Sequence, residues 1–130
     1  MNNIDPLRAP LKNARGLGSA KDGTRHFIIQ RITAVALLVL AVYFVALLVS
    51  LAGADYASAR AAVARPFNAI LLIAFLIAMF WHGQLGMQVV IEDYVHAPGL
   101  AMTCQLIVRF VCFLAALASV FAVLRIALGA

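Results

Sequence analysis

His82, Asp93 and Tyr94 are the residues whose types and spacing could do chemistry, and all three lie in "WHGQLGMQVVIEDYV", Trp81 to Val95. On one helix, the eleven residues from His82 to Asp93 cover about 16 Å and return to within about 20° of the same face. Gly86, one turn past His82, is about 40° around that face. A neutral imidazole with no side-chain bulk a turn away suits an axial ligand to a haem iron, because a flat macrocycle can then approach the helix closely. The same face also suits a plain hydrogen bond from the ring to a neighbouring helix, with Gly86 admitting close packing. Tyr94 offers a phenolic O–H that can donate to a quinone carbonyl, and Asp93 a carboxylate that can orient a basic partner or relay protons. Glu92 reads as an interfacial cap.

The elements that position these residues are membrane helices. Of 130 residues, 65% are hydrophobic and 12% charged, a composition outside that of soluble globular proteins. Apolar stretches run over Ile32–Ala54, Ala69–Ile91 and Leu106–Leu124, the last continuing loosely to Ala130. Each reaches the roughly 20 residues needed to cross about 30 Å of hydrocarbon. The alternation of a transmembrane barrel is absent, so the expected fold is all-α: an integral three-transmembrane-helix bundle, with helices at about 30–54, 67–95 and 101–128. His82 then sits near mid-membrane, where ionisable residues usually face a bundle interior, a cavity or a cofactor.

Residues 1–26 read as a polar arm broken by Pro6, Pro10, Gly16 and Gly18, and 27–130 as the membrane anchor domain. Arg8, Lys12, Arg15, Lys21, Arg25 and Arg31 precede or open the first span, against Arg60 and Arg65 in the next loop. That asymmetry places the N-terminus in the cytoplasm, with the loop around residues 92–103 on the same side. The net charge of +5 thus reports topology and lipid headgroups rather than nucleic acid. Acidic Asp5 and Asp22 within the arm suit a bacterial inner-membrane protein better than a transit peptide. "ASARAAVA" between Asp55 and Pro66 suits a short interfacial helix, Pro66 the start of the second span, and Pro98-Gly99 the turn before the third. Cys104 and Cys112 lie about 12 Å apart along the third helix and cannot bridge. Arg31 and Arg109 suit snorkelling; Arg31 can alternatively pair with a haem propionate, for which His26 is a second candidate.

The pattern resembles the small hydrophobic membrane anchor subunits, D-type, of bacterial succinate dehydrogenase (respiratory complex II). Their second span carries His, Gly four positions on, and Asp-Tyr at eleven and twelve, matched here by His82, Gly86, Asp93 and Tyr94. "DGTRHFIIQRITAVAL" is similar to the family's first-span Gly, His, Arg and Thr-Ala pattern, with Arg31 in the arginine position and Arg25 adjoining His26. The resemblance implies that His82 is one axial ligand of a haem b shared with a sister cytochrome b anchor subunit. It implies that Tyr94 and Asp93 contact ubiquinone, and that Arg31 and His26 approach the haem propionates. Flavin and iron–sulfur clusters would belong to the flavoprotein and iron–sulfur subunits of a heteromeric enzyme in which this chain is a non-catalytic part. The chain itself has no dinucleotide-binding glycine fingerprint and no cysteine cluster. Other readings of the residues are a small helical transporter or channel with a His82–Asp93 proton relay, the anchor of a fumarate reductase, and a purely structural membrane protein.

Overall fold

The computed structural model describes residues 20–129, which form four helices: α1 (Ala20–Ser50), α2 (Tyr56–Ala64), α3 (Pro66–Tyr94) and α4 (Pro98–Ala127). No strand occurs among the described residues. Residues 1–19, with Arg8, Lys12 and Arg15 of the expected arm, lie outside them, as does Ala130. The segments Thr24–Ser50, Pro66–Tyr94 and Pro98–Ala127 are each long and apolar enough to cross a membrane. The protein is an all-α, multi-pass membrane bundle.

Helix starts follow local chemistry. Pro66 and Pro98 occupy the first turns of α3 and α4, where the missing N–H has no intrahelical acceptor to lose. Asp55 caps α2 by accepting the Ser58 backbone N–H at 2.9 Å. α1 leaves its last turn through Gly53, whose φ of 81° is left-handed, a conformation glycine adopts without a steric penalty. α1 begins at Ala20, about ten residues before the start the hydropathy alone predicts. A helix nucleated by a long apolar run propagates through adjoining polar turns, and a single Gly23 costs only about 1 kcal/mol there. α4 likewise starts at Pro98, so Arg109 lies some 16 Å along it.

α3 is the central helix, packing against both α1 and α4, while the short α2 leans on α3 and α4. Side-chain contacts set the antiparallel register. Moving along α1 from Thr33 to Phe44, the partners on α3 descend from His82 to Phe75, with the two phenylalanine rings stacked at 4.7 Å. Tyr43 donates to Asn68 Oδ1 at 2.6 Å and meets Phe67 edge-on at 6.0 Å. Across α3 and α4, Gln105 Nε2 donates to Glu92 Oε1 at 3.4 Å. One end of the bundle therefore carries the start of α1, Asp93 and the start of α4; the other carries Asp55 and α2. Among the described residues the buried apolar ones are Ala69, Leu72, Leu85 and Ile91, all on α3. Val35, Leu38 and Val42 on α1, and Phe110, Leu117 and Phe121 on α4, remain exposed, as expected of surfaces that face lipid or other subunits.

Candidate functional site

His82 is half-buried on α3, and its Nδ1 lies 3.0 Å from Thr33 Oγ1 on α1. Thr33 Oγ1 is also 2.9 Å from the Ile29 carbonyl and 3.0 Å from that of Gln30, the local back-bond a helical threonine forms within its own turn. His82 Nε2 makes no hydrogen bond among the described residues and is not one of the buried unpartnered atoms. A Cβ placed on Gly86 would meet nothing within 4 Å, so this glycine does not serve close packing within the chain. The neighbouring-helix hydrogen bond and an unengaged second ring nitrogen beside open space are both present.

Three turns farther along α3, the two adjacent acids part company. Glu92 accepts from Gln88 at 2.8 Å and from Gln105 on α4, which ties the end of α3 to α4. Asp93 is about 100° around the helix from Glu92; it is exposed and has no partner among the described residues. Tyr94 is 78% exposed, and no hydrogen bond engages its hydroxyl among the described residues. It stands about 18 Å from His82 along the axis and about 120° around it. The arrangement offers a carboxylate and a phenol at one end of the helix and an imidazole deep within it.

On α1, His26 is seven residues from Thr33, hence on nearly the same face and about 10 Å closer to the Asp93 end. Its Nε2 is buried without a hydrogen-bond partner among the described residues. Arg31 points about 160° away from Thr33 around α1; it is exposed, with its guanidinium 4.9 Å from the centroid of Phe27. The structure thus joins His82 to Thr33, sets His26 along the same side, and keeps Arg31 away from His82. Trp81, Gln84, Arg109 and Cys112 line a separate open groove of about 220 Å³ between α3 and α4, reached from the flank of α3 opposite His82. Among the described residues no three His, Cys, Asp or Glu side chains cluster as a metal site. Thr33 is the site residue that the types and spacing do not single out, although it stands in the Thr-Ala pair of the first span.

A family model described as "Succinate dehydrogenase/Fumarate reductase transmembrane subunit" matches residues 5–121. The succinate dehydrogenase hydrophobic membrane anchor subunit of Rickettsia bellii (strain RML369-C) is 34% identical over 117 residues, covering 90% of this chain and 94% of that protein. The subunit so named from Rickettsia conorii is 31% identical over 89% and 93% of the two chains. That from Paracoccus denitrificans is 36% identical over 85 residues, 65% and 66% of the two. With three membrane-crossing helices and a match over nearly its whole length, the chain belongs to the succinate dehydrogenase/fumarate reductase transmembrane subunit family.

Proposed function

We propose that this chain is the membrane anchor subunit of a bacterial succinate:ubiquinone oxidoreductase, holding one side of a haem b and one wall of the ubiquinone site. The supporting observation is the order of groups along α3 in a chain of this family. A histidine with one ring nitrogen bonded and the other unengaged sits beside an open glycine, and Asp93 and Tyr94 lie at the helix end about 18 Å away. The donors suit the group, since the neutral imidazole of His82 would serve as one iron ligand and a sister subunit would supply another. When bound, haem b supplies a one-electron store. His82 Nε2 would be the ligating atom, Gly86 would leave space for the ring, and the orphaned His26 Nε2, on the side of α1 that carries Thr33, would be the donor to a propionate, with the Arg31 guanidinium on the opposite face of α1 a second donor only for a group that reaches that face.

Ubiquinone is the substrate reduced at this chain, with electrons originating from succinate at a flavoprotein subunit and passing through an iron–sulfur subunit. Tyr94 donates a hydrogen bond to a quinone carbonyl, and Asp93 holds or passes a proton at the water-accessible end of α3. The N-terminal basic charges put that end on the cytoplasmic side of the inner membrane. The names of the relatives favour succinate dehydrogenase over fumarate reductase.

In the purified complex, His82→Ala is expected to abolish or alter the b-type optical spectrum. Tyr94→Phe is expected to keep that spectrum while slowing ubiquinone reduction by about tenfold or more. An unchanged b-type spectrum in His82→Ala would refute the ligand role.

A further inference from the structure

The geometry points to Thr33 as the positioning residue that orients His82 for iron, by accepting the Nδ1 proton and so presenting Nε2 as the ligating lone pair. The inference rests on the haem reading above and adds a residue of another helix to it. A threonine hydroxyl has one proton to give. In α1 that proton has two carbonyl acceptors in its own turn, Ile29 at 2.9 Å and Gln30 at 3.0 Å. With the proton directed there, an oxygen lone pair remains for His82 Nδ1 at 3.0 Å. The chain of donors then runs from His82 Nδ1–H to Thr33 Oγ1–H to a backbone carbonyl of α1.

The opposite polarity, Thr33 donating to Nδ1, would place the ring proton on Nε2 and leave no lone pair for a metal there. Metal-bound histidines usually donate their second N–H to a fixed acceptor, which sets the tautomer, the ring plane and the ligand basicity. Thr33 is well placed for that duty because its back-bond holds its own χ1 rotamer, and because it lies in a span where water offers no competing acceptor. It also ties ring orientation to the packing of α1 on α3, so helix register and ligand geometry are set together.

The test uses the assembled, haem-containing complex, with Thr33→Val, Thr33→Ser and His82→Ala prepared in parallel. Thr33→Val replaces the hydroxyl by a methyl of similar size; Thr33→Ser keeps the hydroxyl and its back-bond. Loss of the acceptor makes His82 a weaker donor to ferric iron. Thr33→Val should therefore shift the ferric/ferrous balance at fixed potential about tenfold toward ferrous, a rise of about 59 mV for one electron. Its low-spin ferric electron paramagnetic resonance signal should move as the ring reorients, while Thr33→Ser matches the parent in both readouts. Parent potential and signal in Thr33→Val would overturn the role of Thr33, provided His82→Ala loses the b-type spectrum. If His82→Ala keeps that spectrum, it is the haem reading that falls. Should Thr33→Val fail to assemble, His82→Gly supplied with exogenous ligands decides. Imidazole, which has an N–H for Thr33, should restore the b-type spectrum at about tenfold lower concentration than 1-methylimidazole, which has none. Equal restoration would overturn the proposal.

Discussion

Two polar residues show how differently a single buried or exposed atom acts here. His26 Nε2 is buried with no partner among the described residues, a state that costs about 1–3 kcal/mol for a polar group. His26→Leu should therefore stabilise the chain on its own in detergent by about 1 kcal/mol. In the assembled complex, on the haem reading proposed above, it should instead weaken haem retention, because the propionate contact proposed for His26 would be lost. Unfolding midpoints of the lone chain and haem-to-protein ratios of the complex read the two opposite signs. Asp55 stands at the other extreme, fully exposed, with the Ser58 hydroxyl first and its backbone N–H second holding the carboxyl below its ordinary value of 3.8. A depressed carboxyl stabilises the fold above its unfolded-state pKa, and that contribution fades as pH falls through the lower folded-state value. The α2 cap should hold at neutral pH and loosen only below about pH 4. Exchange of the Ser58 amide, measured against pH, should accelerate there, and Asp55→Ala should show the fast exchange at every pH.

At the scale of elements, α2 is pinned by a polar chain that joins three helices. Tyr43 of α1 donates to Asn68 Oδ1 of α3, and Asn68 Nδ2 donates to the Ala62 carbonyl of α2 at 2.8 Å. Interhelical hydrogen bonds in membranes average about 0.6 kcal/mol and reach about 1.7. Asn68→Leu, which breaks both, should cost about 1 kcal/mol in a denaturation titration and speed amide exchange in α2; Tyr43→Phe should cost less and spare α2. This tie illustrates what the sequence alone conveys. The three spans, the helix-starting Pro66, α2 itself and the His82–Gly86–Asp93 face all follow from composition and helical period, because these report on one element at a time. Pro98-Gly99, which reads as a turn, instead lies within the first turn of α4, where a proline has no intrahelical bond to lose. Thr33 against His82, Tyr43 against Asn68 and Gln105 against Glu92 depend on the register between helices. Apolar residues of similar shape leave that register undetermined until the packing is seen. The polar first turns of α1 escape hydropathy for a related reason: helix propagation continues where lipid burial ends.

For the whole molecule, the buried residues Ala69, Leu72, Leu85 and Ile91 all belong to α3, so stability within the chain concentrates on one helix. Leu85→Ala removes one of these few packed side chains and should cost about 2 kcal/mol or more. Ala69→Leu, at a position only 4% exposed, should cost about 1–3 kcal/mol by overpacking. The outward faces of α1 and α4 tolerate apolar exchanges far better, with steady-state complex yield and unfolding midpoint as the two measurements.

A helix bundle whose packed residues all lie on its middle member has little with which to survive alone. Before assembly, Gln84 and Arg109 line a groove open at the bundle surface, where lipid solvates polar groups poorly, and among the described residues α1 and α4 contribute no fully buried side chain. An orphan chain of this kind is a natural target for membrane proteases, so its abundance in the cell should follow the supply of its sister subunits. Pulse-chase labelling in cells lacking the other subunits of the complex should then show a half-life several-fold shorter.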